Sequence, residues 1–259
     1  MKALNIILPI VTGAFILGTW WLLTATGGHE WTFFPSPVEV LKAGWSERAL
    51  LLPATVKTLW MAVLGFISAV LGGGLIALVL AISRPIRLSL YPWVLAFQTV
   101  PVVVMIPILL IWFDYNATLT IVTITFMISF FPVVANTTMG LTSTDRGMQE
   151  LFRTWQASRW QTFLHLRIPF ALPYFLTGLR IAAVLAPIGV ITGDMLTGTS
   201  QGTASLGFLL AKFRSAFRPD AVFAVALISA FLGFFFTTFV YGLSWLLLRR
   251  WHDSQLRQE

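Results

Sequence analysis

Five long runs of the chain contain no Asp, Glu, Lys or Arg: residues 3–28, 58–83, 88–113, 115–144 and 221–248. Each exceeds the roughly 20 residues that carry a helix across about 30 Å of hydrocarbon. A sixth stretch, Ile168 to Gly193, is apolar except for Arg180. In lipid every backbone N–H and C=O must be satisfied within the protein, which makes the α-helix the natural form for such runs. The expected fold is all-α and polytopic, a single membrane domain over residues 1–259. Its six transmembrane helices should lie near 4–26, 54–83, 88–113, 117–140, 169–193 and 220–249. Only 10% of the residues are charged and 57% are hydrophobic, which excludes both an ordinary soluble domain and a disordered chain.

The charges that remain set the orientation. With the N-terminus inside, Lys2, Arg84, Arg87, Arg146, Arg153, Arg159, Arg167, Arg249, Arg250 and Arg257 fall in the cytoplasm. Lys42, Arg48, Lys57, Lys212, Arg214 and Arg218 fall outside. Ten against six favours N-in and C-in by the positive-inside rule, although Lys212 to Arg218 run against it. The net charge of +7 is therefore read as a membrane-topology signal and not as a nucleic-acid footprint. Residues 1–28 read as a retained first helix, because the apolar run is longer than a signal-peptide core and Trp20 and Trp21 suit an interfacial belt. The segment from His29 to Pro53 is amphipathic, and Pro35-Ser36-Pro37 should start a short surface helix there.

Breakers sit inside two spans. Pro101 and Pro107 lie in the third, and Pro169, Pro173 and Pro187 in the fifth. Each interior proline removes a backbone hydrogen bond, and the freed carbonyl must find a partner or line a wet cavity. Pro101, Pro107 and Pro187, with Arg180, the one charge deep in a span, and Asp194 at the end of the same span, are therefore candidates for a translocation path. Routine kinking for packing is the competing reading. Ser68/Gly72 and Gly189/Gly193 are small-residue pairs at i, i+4 spacing that suit close helix contact.

The most informative segment lies between the fourth and fifth spans, about residues 143–168. Leu151, Phe152, Trp155, Trp160, Phe163, Leu164 and Leu166 share it in helical register with Glu150, Arg153, Arg159, Gln161, His165 and Arg167. Asp145 can cap a first short helix, and Ser158-Arg159-Trp160-Gln161 is a capping-box pattern that should start a second. Pro169 should then open the fifth span. A helix lying on the lipid surface and a helix docking in a partner's groove both fit this pattern.

The residues here resemble a known family. Glu150-Leu151-Phe152, Gln156 and Leu166-Arg167-Ile168-Pro169 follow the spacing of the EAA loop, Glu-Ala-Ala, three residues, Gly, nine residues, Ile-x-Leu-Pro. That loop marks permease subunits of bacterial ATP-binding-cassette importers. The likeness extends through Ala157 to Gln161, Pro169 to Pro173 and Thr177 to Arg180. It also takes in Pro35 to Val40, Gln98 to Pro101, Ile111 to Phe113, Phe130 to Pro132, Asp194 to Leu196 and Ser205 to Phe208. It looks like the branch serving sulfonate, taurine, nitrate and related solutes, some of them thiamine-precursor pyrimidines.

The resemblance implies a homodimer in the bacterial inner membrane, a separate cytoplasmic ATPase that binds ATP and Mg, and a periplasmic or lipid-anchored solute-binding protein. Glu150, Leu151, Phe152, Trp155, Gln156, Ser158 and Pro169 would form the ATPase-docking loop, with Glu150 facing a basic residue of the ATPase. Departures are also plain. Gln156 stands in place of the motif glycine, Leu151 and Phe152 in place of alanines, Asp114 where relatives often have glycine, and Asp194 where they often have Glu. With Gln at the turn, either the turn is made another way or Gln156 tolerates a left-handed backbone at roughly 1 kcal/mol.

There is no Gly-x-x-x-x-Gly-Lys-Ser/Thr, so this chain is not expected to hydrolyse ATP or to bind a cofactor of its own. There is no cysteine, and His29, His165 and His252 are isolated, so no metal site is expected. The alternative function is a self-contained secondary transporter, which would need a titratable acid near mid-membrane. Only Asp114 and Asp194 lie near the span ends.

Overall fold

The computed structural model describes residues 2–26, 34–198 and 204–248, and no strand occurs among them. The helices are α1 (Lys2–Thr26), α2 (Pro37–Ser46), α3 (Arg48–Ile82), α4 (Arg84–Thr99), α5 (Val102–Trp112), α6 (Ala117–Thr142), α7 (Arg146–Thr154), α8 (Arg159–Thr162), α9 (Ile168–Thr197), α10 (Leu206–Ser215) and α11 (Pro219–Leu248). Five helical runs are long and apolar enough to cross a membrane, and a sixth follows if α4 and α5 count together. The start of the expected 29–53 segment and the far end of the last span at 249 lie outside the described residues.

The core is built on α3, α6 and α9. In lipid, apolar side chains gain nothing by leaving the solvent, so helices associate where small residues let backbones come close. α3 presents Gly65, Ala69, Gly73, Ala77 and Ala81, every fourth residue and all buried. This stripe is one position out of register with the expected Ser68/Gly72 pair, and Ser68 is exposed. The pair Gly189/Gly193 on α9 is buried as expected. A Cβ at Gly178 of α9 would stand 2.8 Å from the Pro132 carbonyl oxygen of α6, so that crossing admits only glycine.

The third expected span, 88–113, is not one helix. α4 and α5 are bent by 93° at the break between Thr99 and Val102. Pro101 has no N–H to continue the ladder, and it forces Val100 into an extended conformation, φ −67° and ψ 121°. α5 has 11 residues, about 16 Å, too short to cross alone.

The fifth span is longer than expected. Pro169 lies in the first turn of α9 as expected, but α9 continues from α8 through a π turn, so residues 159–197 run on as one stretch of 39 residues. A π-helical turn at Phe163–Arg167 widens the helix just before that proline, and the Ile168 N–H reaches back to the Phe163 carbonyl. A wider turn of this kind accommodates the hydrogen bond that the proline ring removes. The third span apart, the other expected spans are found, with α3 starting earlier at Arg48 and carrying Pro53 inside it.

The remaining elements frame this core. Ser36 caps α2 in a capping box with Glu39, as Pro35-Ser36-Pro37 implied. α1 is attached near its end, where the Trp20 indole donates to the Pro35 carbonyl at 3.1 Å and its ring lies beside Phe34 and Phe223. Arg218 bridges Glu47 at 2.6 Å and Asp220 at 2.9 Å, joining the α2–α3 corner to the α10–α11 corner. The Asp220 and then the Glu47 hydrogen bonds hold the Arg218 guanidinium above its ordinary pKa.

Candidate docking loop and the helices behind it

Local capping shapes the loop. Asp145 accepts the Met148 N–H at 3.2 Å and starts α7, placing a carboxylate at the positive end of the helix. Ser158 starts α8, with Gln161 N–H donating to Ser158 Oγ at 3.2 Å and Ser158 N–H donating to Gln161 Oε1 at 2.8 Å. Both caps are as the sequence implied.

Gln156 occupies the turn between them with φ 55°. Its N–H donates to the Arg153 carbonyl at 2.9 Å, and the Ala157 N–H donates to the Phe152 carbonyl at 3.0 Å. These two bonds are the Schellman arrangement, which normally recruits glycine at this position. The glycine geometry is therefore kept, and Gln156 carries its strain. Asp114 and Tyr115, after α5, are also left-handed at φ 50° and 61°, a backbone form that favours glycine.

The result is a platform with two sides. On the inner side Phe163 packs with Ala81, Leu141 and Ala171, and Leu166 is buried. On the outer side no residue of α7 is buried. Glu150 is exposed, as are Leu151 and Trp155, the indole at 69%, while Phe152 is half-buried against Trp155 at 6.2 Å between ring centres. Trp160 is 67% exposed and stacks on Phe163 at 5.8 Å. The structure thus brings Glu150, Leu151, Phe152, Trp155 and Gln156 together on one short helix and its turn. Ser158 acts as a cap, and Pro169 lies behind the platform in the wall of α9.

The candidate path residues have different settings. Pro101 is exposed at the α4–α5 break and Pro107 is exposed on α5. Pro187 is buried in α9 beside α11. Arg180 lies with its guanidinium 4.6 Å from the ring centre of Tyr241 on α11, and its buried Nε has no hydrogen-bond partner. The five are not gathered at one spot.

Asp194 has a structural assignment of its own. It is 1% exposed, and its Oδ2 accepts from Ser205 Oγ and from the Phe208 N–H at 2.7 Å. Thr58 on α3 accepts the adjacent Leu206 N–H at 3.0 Å. Asp194 and Thr58 together satisfy the first turn of α10 and hold that helix against α3 and α9. Gly207 makes the approach possible, because a Cβ there would collide with the Ile191 carbonyl. Sequence reading missed Thr58 and Tyr241, whose partners are distant along the chain and leave no spacing signal.

Residues 69–251 match the family described as binding-protein-dependent transport system inner membrane component. The chain belongs to this family. It is the permease component of an ATP-binding-cassette importer, a transport subunit and not an enzyme. An ABC transporter permease protein of Haemophilus influenzae is 32% identical over 95% of this chain and 97% of its own. A formylaminopyrimidine transport permease of Halalkalibacterium halodurans is 34% identical over 82% of this chain and 84% of its own. An aliphatic sulfonates transport permease of Escherichia coli is 27% identical over 84% of this chain and 82% of its own. The branch suggested by the loop and its flanking motifs is therefore borne out.

Proposed function

We propose that this permease works as a homodimer in the cytoplasmic membrane, with both termini and the 143–168 loop on the cytoplasmic side. Each loop docks on an ATPase subunit that binds ATP and Mg, and a solute-binding protein delivers substrate to the opposite face. The observation that carries this reading is α7, which has no buried residue and presents Glu150, Leu151 and Trp155 outward from a rigid, doubly capped turn. Apolar anchors beside a charge on one helix face are what a groove on a soluble partner recognises. Phe163 ties the platform to α3, α6 and α9 through Ala81, Leu141 and Ala171, so movement of the docked loop is transmitted to the core helices. Gln156 and Ser158 set the angle between α7 and α8, and Pro169 places the π turn that joins the platform to the membrane.

Pro101 and Pro107, exposed on the broken α4–α5 element, and Arg180 on α9 border the substrate path in this reading. Pro187 and Asp194 support it from the core. The cargo is a small solute of the sulfonate, nitrate, taurine or pyrimidine type, in keeping with the names of substrate-labelled relatives. An unpartnered Arg180 Nε favours an anionic or carbonyl-bearing group over a cation.

The test is Glu150→Lys in the reconstituted importer. ATPase association and substrate-stimulated hydrolysis should fall at least tenfold, about 1.4 kcal/mol of docking energy, while membrane insertion is unchanged. A fully coupled variant would refute docking through this loop. Uptake that persists without ATP hydrolysis in the presence of a proton gradient would favour a secondary transporter.

A further inference from the structure

Three arginines meet at the loop end of the helical body. Arg84 and Arg87 from the first turn of α4, and Arg167 from the π turn, line a cavity of about 240 Å³ together with Ser83, Thr142 and Gln149. No Asp or Glu lines it. Among the described residues, no ion pair joins Arg84, Arg87 or Arg167 to an Asp or Glu. Arg87 and Arg167 are half-buried, which limits the water available to screen them from each other. Like charges gathered in a recess call for an anion, and guanidinium forks match phosphate oxygens best.

The cavity does not end there. Arg87 and Thr142 are shared with a second, open cavity of about 600 Å³ between α4 and α6. Leu88, Tyr91, Pro92, Ala135 and Met139 line this one. Among the described residues none of α4 is fully buried: Tyr91 and Val94 pack toward α3 and α6, while Leu88 stays exposed beside the groove. The two cavities adjoin at Arg87 and Thr142, so a cationic pocket neighbours an apolar groove.

We propose that this recess is a specific site for an anionic phospholipid. Its phosphate rests on Arg84, Arg87 and Arg167, and an acyl chain runs along the groove past Leu88 and Met139. A free phosphate would use the cationic end alone and leave the groove unexplained. Gln149 belongs to α7 and Arg167 leads into α9, so the bound lipid braces the docking loop against α4. This rests on the reading of the loop side as cytoplasmic, the face where anionic headgroups attract basic segments at roughly fivefold in affinity per arginine.

The test uses the delipidated importer complex, titrated with phosphatidylglycerol or with phosphatidylcholine of the same chains and read by native mass spectrometry. Phosphatidylglycerol should bind selectively, and Arg87→Ala with Arg167→Ala should weaken it about 30-fold. Leu88→Trp leaves every arginine in place and fills the groove, so it should weaken binding as well. If the double alanine variant fails to fold, Leu88→Trp and the charge-keeping Arg87→Lys with Arg167→Lys carry the test, the lysine pair retaining lipid. Excess inorganic phosphate at constant ionic strength should not displace the lipid. Equal retention by wild type and both groove and arginine variants would overturn the proposal. So would displacement by phosphate, or exclusion of lipid by a second copy of the chain or by the ATPase. A wild-type complex that binds no phosphatidylglycerol selectively, with ATPase association intact, counts against the lipid site alone. Lipid retained with association lost in Glu150→Lys leaves this site standing.

Discussion

Asp194→Ala removes the acceptor that organises the start of α10. The Phe208 N–H and the Ser205 hydroxyl both donate to its carboxylate. The side chain is 1% exposed, so water does not replace it without rearrangement. A buried donor left unsatisfied costs about 1–3 kcal/mol, so the amide and the hydroxyl together put the loss at about 4 kcal/mol. Asp194→Asn keeps an acceptor oxygen and should lose only about 1–2 kcal/mol. The loss is local, because α10 packs through Leu206, Leu209 and Phe213 onto α3 and α11 and can detach without unfolding the α3–α6–α9 core. Amide hydrogen exchange of the purified permease in detergent reads it directly. Protection at Leu206 to Phe208 should fall by at least a hundredfold in the alanine variant and about tenfold in the asparagine variant, with α6 unchanged. Alanine and wild-type protein exchanging alike at these amides would show that the carboxylate does not hold α10.

The remaining predictions are more compact. Gln156→Gly should stabilise the α7–α8 turn by up to about 1 kcal/mol, since φ 55° costs glycine nothing; a lower melting temperature would show that the Gln side chain is itself needed. Gly178→Val should abolish assembly of α6 with α9, because its Cβ would stand 2.8 Å from the Pro132 oxygen; a folded protein by size exclusion would refute the tight crossing. Ser158→Ala should cost about 1 kcal/mol and loosen α8 in hydrogen exchange while leaving α7 protected, and equal loosening of both would mean that the two helices fold as one unit.

Much of the docking loop was legible because its contacts are local. Asp145, Ser36 and Ser158 each bond a backbone group three residues on, so the residue type and the spacing carry the whole signal. Gln156 was legible as a problem, through the missing glycine, but only backbone geometry showed that the turn kept its left-handed form. The α4–α5 break was half legible. Pro101 announced an interruption, whereas the 93° angle depends on how α5 packs Ile106 and Leu109 against Ile124 of α6. The small-residue stripe on α3 was placed one residue off, because Ser68, Gly72, Gly65 and Gly73 are equally small and only the position of α6 chooses among them.

Charge-free runs and the loop motif determined by themselves that the chain is a helical membrane protein of the importer type. The first follows from the cost of charge in hydrocarbon, the short helices of the loop from their caps, and the importer type from the resemblance that the loop motif carries. Tertiary structure alone decided that Asp194 and Thr58 serve α10, that Arg180 lies over Tyr241, and that Arg84, Arg87 and Arg167 share one recess. These groups come from separate helices, and no periodicity along a chain records which helices will lie side by side.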